Sequence, residues 1–181
     1  PSPDMEIRVV DGDRNPLPAQ QVGEIEIKGG SVMKGYWNRP EATAESVVEG
    51  WFKTGDAGFF DEDGYLYIHD RVKDMIVSGG ENVYPAEVEN ALFAHPAVAD
   101  VAVVGVPDDR WGEAVKAFVV LEPEQTATAD DIIAFAKTQI AGYKTPKSID
   151  FVEVLPRNPS GKILRRELRA PYWEGRERQV G

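Results

Sequence analysis

The sequence predicts an α+β protein in two parts: a β-rich piece over residues 1–72 and a small α+β domain over residues 73–181. A change of texture at Asp70-Arg71-Val72-Lys73 carries this reading, from short period-two runs between Gly/Asp turns to helical stripes alternating with strands. The 42% hydrophobic content is enough for one good core or two small ones. In order, Glu6 to Val10 alternates into Asp11-Gly12-Asp13, and Glu24-Ile25-Glu26-Ile27-Lys28 has strict period two before Gly29-Gly30. A short helix fits Pro40 to Val47. Asp61-Glu62-Asp63-Gly64 then turns Gly58-Phe59-Phe60 into Tyr65-Leu66-Tyr67-Ile68, a hairpin.

Beyond Lys73, Pro85 at a first helical position with Glu87 and Glu89 in the first turn starts a helix to about Ala94. Strands follow at about Asp100 to Val106 and Ala114 to Leu121. Thr128-Ala129-Asp130-Asp131 has the form of an N-cap box, and Ile132, Ile133, Ala136 and Ile140 form the buried stripe of a helix to about Ala141. Ser148 to Leu155 reads as a last strand, leading into a proline-bounded loop.

Composition narrows the chemistry. The absence of cysteine excludes disulfides, thiolate zinc sites and a cysteine nucleophile, and His69 and His95 are too few for a histidine-rich metal site. Neither histidine has a visible catalytic partner set, so both are expected to be structural or exposed. No apolar run approaches the roughly 20 residues of a membrane span and no secretory signal opens the chain, so a soluble, cytoplasmic protein with no transmembrane segment is expected. A net charge of -11 argues against nucleic acid as a partner, because a polyphosphate rewards basic faces. That charge is uneven: Pro156 to Gly181 holds seven Lys/Arg against three Asp/Glu. A small cationic end on an acidic body suits one small anion better than a polymer.

The best chemical handle lies in that cationic end, in Pro156-Arg157-Asn158-Pro159-Ser160-Gly161-Lys162-Ile163-Leu164-Arg165-Arg166. Pro156 and Pro159 restrict the backbone, Asn158 and Ser160 form turns, and Gly161 permits positive φ, so the loop is able to hold Lys162 in one place for a phosphate. It is no phosphate-cradling P-loop, since Pro156 and Ile163 stand where that pattern needs glycine and Ser/Thr. Taken alone, the run reads first as a surface turn before a basic amphipathic helix.

Three other segments bear on it. Trp51-Phe52-Lys53-Thr54-Gly55-Asp56 offers a carboxylate of the kind that holds ribose hydroxyls, although a solvated turn aspartate is the plainer reading. Asp70-Arg71-Val72-Lys73-Asp74 packs alternating charge into an interdomain connection, and by itself is a solvated linker. Val77-Ser78-Gly79-Gly80-Glu81-Asn82-Val83-Tyr84-Pro85 puts two glycines before a helix, where backbone either approaches a ligand closely or merely turns.

The order of these segments, together with Gly35-Tyr36-Trp37-Asn38-Arg39-Pro40-Glu41-Ala42-Thr43 and Tyr143-Lys144-Thr145-Pro146-Lys147, closely resembles the adenylate-forming (AMP-binding) enzymes, among them the acyl-CoA synthetases. The resemblance runs along nearly the whole chain. It implies the β-rich end of the large AMP-binding domain followed by the mobile C-terminal α+β domain, with the hinge at Lys73.

It also implies a two-step ligase, in which a carboxylate, here a fatty acid, attacks ATP to give acyl-adenylate and pyrophosphate, and the CoA thiol then displaces AMP. ATP and CoA are thus substrates, with Mg2+ bound mainly through ATP and an N-terminal part upstream of these residues. By matched position Asp56 and Arg71 bind the ribose, and Lys162 bridges the carboxylate and the α-phosphate. Gly79 and Gly80 line the pantetheine channel, Asn82 and Trp111 support the thioester state, and Tyr143 stacks on CoA adenine. Where some relatives carry a phosphate-binding arginine this chain has Thr145, so Lys144 or Lys147 takes that part. The Pro156, Gly161 and Lys162 spacing also fits lysines that bacterial relatives acetylate.

The family's ATP-phosphate loop, adenine-stacking aromatic, Mg2+-contacting glutamate and acyl pocket have no counterpart here, so the chain alone is expected to form no acyl-adenylate. An aryl- or other-acid CoA ligase and a noncatalytic nucleotide- or protein-binding module are the alternatives, and peptide-synthetase adenylation fits the motif forms less well.

Overall fold

The computed structural model describes residues 4–176 and divides into two compact units, Pro1–Val72 and Lys73–Gly181. The first unit is an antiparallel sheet of β1 (Met5–Val10), β2 (Gly23–Gly29), β4 (Trp51–Phe60), β3 (Val47–Val48) and β5 (Leu66–Arg71), with a seven-residue helix α1 (Pro40–Ser46) before β3. Strand β4 is central: β2 lies along it, and β3 and β5 pair with its two ends. The run read as a turn at Thr54-Gly55 is therefore the middle of a ten-residue strand. The expected hairpin forms beyond it, with Gly58, Phe59 and Phe60 opposite Ile68, Tyr67 and Leu66.

The core of this unit is thin, with Val9, Val10, Ile25 and Ala57 buried. Period two in β2 suggests a polar outer face for Glu26, yet its side chain is fully buried. The register explains this: Arg8 faces Glu26 across β1 and β2 and bonds its carboxylate at 2.6 and 2.9 Å, while Arg14 adds a bond of 2.7 Å. The Arg8 guanidinium also lies 4.2 Å from the Trp51 ring centroid. Burial acts to raise the Glu26 pKa, but the hydrogen bonds from Arg14 and Arg8 outweigh it and hold the carboxyl below its ordinary value.

The second unit is built on a mixed sheet of β6 (Ile76–Ser78), β7 (Glu81–Val83), β8 (Val98–Asp108), β9 (Gly112–Leu121) and β10 (Ser148–Phe151). Strands β8 and β9 form a long antiparallel hairpin, and β10 joins β9 in parallel. Because β8 and β9 are covered on both sides, they read as continuous apolar runs. One face carries Val101, Val103, Val115, Ala117 and Val119 against helices α2 (Pro85–Phe93) and α3 (Ala129–Gln139), through Val88, Leu92, Ile132 and Ala136. The other face carries Ala102, Val104 and Phe118 against Leu155, Ile163 and Leu168.

Helix α3 begins as expected, with the Thr128 hydroxyl accepting the Asp131 N–H and the Asp131 carboxylate accepting the Thr128 N–H. Its stripe is narrower than expected: Ile132 and Ala136 are buried, Ile133 only partly, and the helix stops at Gln139 with Ile140 as its extended C-cap. The last strand is also shorter, ending at Phe151. Val152 donates one more bond to Val119, after which the chain leaves β9 so that Leu155 reaches the face opposite the helices. That departure positions the lysine loop, since Leu155 before it and Ile163 after it pack on the same apolar cluster.

Candidate functional site

In the first unit, Asp56 and Arg71 are direct cross-strand partners on β4 and β5, with Arg71 Nε 2.8 Å from Asp56 Oδ1. An irregular β4 brings them to that register. Between the pairs Glu24–Ala57 and Glu26–Lys53, β2 spends one residue, Ile25, while β4 spends three, Thr54, Gly55 and Asp56. At the bulge the Thr54 hydroxyl donates to the Ile25 carbonyl at 2.7 Å while accepting the Asp56 N–H at 3.1 Å. Gly55 takes φ +73° in the bulge. Burial raises the pKa of the neighbouring Glu24, against the opposing charge of Lys53 and the Gly55 N–H. A second bulge in β5 sets His69 between the pairs Ala57–Asp70 and Gly58–Ile68.

In the second unit, Gly79 and Gly80 form the turn of the β6–β7 hairpin at φ +63° and +86°. Both central residues at positive φ are the mark of a type I′ turn, which suits the twist of paired strands. The two glycines thus turn the chain, and the short β7 stands between them and α2. The Gly79 N–H donates to the Trp111 carbonyl at 2.8 Å, and a Cβ on Gly79 would lie 2.7 Å from the indole. Nothing lies within 4 Å of a Cβ on Gly80, which faces open space. Trp111 sits in the β8–β9 turn, where Asp108 Oδ1 accepts the N–H groups of Arg110 and Trp111 at 2.9 Å and the Arg110 guanidinium covers the indole at 4.5 Å. Gly79, Gly80 and Trp111 thus converge. Asn82 is exposed on β7, opposite Val77.

Tyr143 and Lys144 lie in the turn after α3, closed by the buried Thr145 hydroxyl donating to the Gly142 carbonyl at 2.8 Å. Tyr143 is exposed. The Lys144 ammonium donates to both carboxylate oxygens of Glu87 on α2 at 2.7 Å and lies 5.8 Å from the Tyr143 ring centroid. Lys144 therefore ties the Tyr143 turn to α2, whereas Lys147 is exposed. The Glu87 partner is not legible in sequence, being 57 residues from Lys144.

The lysine loop is organised by Asn158. Its Oδ1 accepts the Ser160 N–H at 3.1 Å, the Ser160 hydroxyl at 2.8 Å and the Lys162 N–H at 2.8 Å. The Asn158 N–H donates to the Lys162 carbonyl at 2.9 Å, so Asn158 clasps both the N–H and the C=O of Lys162. Arg157 braces the loop by donating to the Gly161 carbonyl and to Asp100, each at 2.6 Å.

The cationic end proves to be largely committed internally. Besides Arg157, Arg165 pairs with Glu89 at 2.7 Å, and Arg169 reaches Asp74 at 3.7 Å. Lys162 is exposed and, among the described residues, its ammonium has no side-chain partner. Helix α4 (Arg165–Arg169) follows at once, and its arginines, spaced i and i+4, are a readable signal whose acidic partners lie far away in sequence.

His95 accepts the Ala97 N–H at Nδ1 and meets Phe135 edge-on at 5.1 Å, a packed structural setting. Among the described residues no group of three or more His, Cys, Asp or Glu is disposed to hold a metal ion, and no helix is long and apolar enough to cross a membrane.

Residues 87–162 match the AMP-binding enzyme C-terminal domain. The chain is 51% identical over 180 residues to a fatty acid–[acyl-carrier-protein] ligase, ScoC, of Streptomyces coeruleorubidus, covering 99% of this chain and 35% of that protein. It is also 51% identical over 167 residues to a feruloyl-CoA synthase of an Amycolatopsis species, covering 92% of this chain and 34% of the relative. The crystal structure of ATP-bound MatB from Rhodopseudomonas palustris is similar with a TM-score of 0.88 at 41% identity, over 94% of this chain and 34% of that one. The chain thus spans about a third of the length of the relatives it matches. The motif order, the two-unit α+β fold and these matches converge: the chain belongs to the adenylate-forming, AMP-binding enzyme family and carries its C-terminal domain.

Proposed function

We propose that the chain is the C-terminal part of an AMP-forming acid–thiol ligase, that its acid is a fatty acid, and that Lys162 serves the adenylation half-reaction. The observation that carries the reading is the state of Lys162: an exposed ammonium without a side-chain partner among the described residues, on a loop where Asn158 holds both the N–H and the C=O of that lysine. Arg157, Arg165 and Arg169 are committed to carboxylates, which leaves Lys162, on the braced loop, and Arg166, on the helix after it, as the exposed charges here, and of the two only Lys162 has its backbone clasped by Asn158. A compact ammonium aimed at an α-phosphate and an incoming carboxylate screens their repulsion and stabilises charge that grows in the transition state.

In the same reading the half-buried Asp56 carboxylate accepts from ribose hydroxyls while Arg71 orients it, and the Gly80 side of the hairpin turn lets a thin pantetheine arm pass beside Trp111. Asn82 and Tyr143 support the thioester step from the same unit. Lys144 supplies no free charge while Glu87 holds it, so its part is to fix the turn that presents Tyr143 to the CoA adenine. Lys73 is the hinge. ATP and the thiol are substrates, and Mg2+ enters with ATP and with residues outside this chain.

Identity to a fatty acid–[acyl-carrier-protein] ligase supports the fatty acid and leaves two acceptor thiols, CoA and a carrier-bound pantetheine. Equal identity to a feruloyl-CoA synthase favours a second reading, an aryl-acid ligase. In the intact enzyme, ATP–pyrophosphate exchange with fatty and hydroxycinnamic acids separates the acids, and release of AMP on adding CoA or a carrier protein separates the thiols. Exchange with neither acid contradicts the reading. So does exchange by the 181-residue chain alone, which is expected to show none.

A further inference from the structure

We propose that Arg165 and Arg169 are positioning residues, which bind the helix after the lysine loop to the first turn of the second unit, so that Lys162 and that turn move as one body. The turn is a single 3-10 turn, Val72–Asp74, and the second unit begins within it at Lys73. Arg165 and Arg169 stand one helical turn apart on α4 and point to the same side. Arg165 makes a two-pronged contact with Glu89, Nη2 at 2.7 Å and Nε at 3.2 Å, and its Nη1 lies 3.9 Å from Asp74. Arg169 Nη1 lies 3.7 Å from the other Asp74 oxygen and 3.5 Å from the Lys73 carbonyl oxygen. Glu89 also accepts the Val103 N–H at 2.8 Å, which roots the cluster in β8.

Ordinary surface ion pairs contribute little, because both partners stay in water. These differ: the carboxylates of Asp74 and Glu89 are only 13% and 15% exposed, and the two guanidiniums 22% and 18%. The contacts run without a break from β8 through Glu89, Arg165, Asp74 and Arg169 to the Lys73 carbonyl. Arg165 follows Lys162 by three residues, and the Leu164 N–H is anchored to the Pro156 carbonyl at 2.8 Å, so the lysine loop is joined to the same body. The bearing on catalysis rests on the adenylation role proposed for Lys162. The mechanical coupling does not.

A lysine-specific endoprotease tests it on the chain itself, reading the initial rate of cutting after Lys73 relative to the exposed Lys34. The pair Arg165→Gln/Arg169→Gln, which leaves the residues around the cut bond unchanged, is expected to raise that ratio by about tenfold, equivalent to about 1.4 kcal/mol of local opening. Asn158→Ala, which loosens the lysine loop alone, leaves it unchanged. Arg169→Gln alone, which leaves the Arg165–Glu89 pair in place, raises the ratio by a smaller factor and decides the matter if the double variant fails to fold. A ratio that stays flat in the folded arginine variants overturns the proposal. The assay needs no nucleotide, acid or thiol, so failure of the ligase reading leaves its outcome untouched.

Discussion

Gly79→Ala and Gly80→Ala differ in one physical respect. Both place a side chain at positive φ, which costs about 1–2 kcal/mol, and both lower the entropy of the unfolded chain, which returns about 0.5–1 kcal/mol. At Gly80 the new methyl meets open space, so the net cost is about 1 kcal/mol. At Gly79 it would lie 2.7 Å from the Trp111 indole, well inside contact distance, while the Gly79 N–H is bonded to the carbonyl of that same residue. The ring is 40% exposed and is able to shift, so displacing it adds about 1 kcal/mol, the low end for overpacking, and Gly79→Ala is expected to cost about 2 kcal/mol, roughly 1 more than Gly80→Ala. Equilibrium urea unfolding of the two variants measures the difference. Repeating both in a Trp111→Ala background should shrink it toward zero, since the obstacle is the ring. Equal losses, or a difference that survives removal of the indole, would refute the packing account of this turn and with it the distinction between a Gly79 set against Trp111 and a Gly80 in open space.

Three further outcomes follow from the geometry. Asn158→Ala removes an oxygen that accepts three hydrogen bonds on an exposed loop, so global stability should fall by less than about 1 kcal/mol while amide exchange at Lys162 quickens about tenfold; unchanged exchange contradicts the clasp. Glu26→Gln leaves two guanidiniums facing a neutral amide in a buried site and should destabilise the first unit by about 3 kcal/mol at neutral pH. Because the Glu26 pKa is depressed, its contribution is whole above the ordinary carboxylate range and is lost as pH falls through the folded value, so wild type and Glu26→Gln should converge in acid unfolding; a pH-independent gap is the contrary result. Glu24 has the opposite sign: its raised pKa means ionisation penalises the fold as pH climbs past the ordinary value, so Glu24→Gln should stabilise at pH 7 relative to pH 4, and stabilisation confined to the acid side would contradict it.

Much of the fold is legible in the sequence because local rules and tertiary packing agree. Thr128 to Asp131 cap a helix in both, and the apolar runs at Val101 and Val115 become the doubly covered β8 and β9. What escapes is set by partners distant in sequence. Thr54-Gly55 looks like a turn because Thr and Gly form turns, but the carbonyl of Ile25 recruits the Thr54 hydroxyl and keeps the segment inside β4. Gly79-Gly80 is a turn within a hairpin too short to show periodicity. Charge is the least readable property. The excess of Lys/Arg from Pro156 onward marks a cationic end by count, yet Asp100, Glu89 and Asp74 absorb much of it, and only the folded contacts separate the committed arginines from Lys162.

The most direct test of the account is Lys162→Ala in the intact enzyme, with the two half-reactions measured separately. Loss of one preorganised charge should slow ATP–pyrophosphate exchange by about a hundredfold or more, while thioester formation from supplied acyl-adenylate stays near wild type. Equal loss in both halves, or exchange that persists without the ammonium, would contradict it.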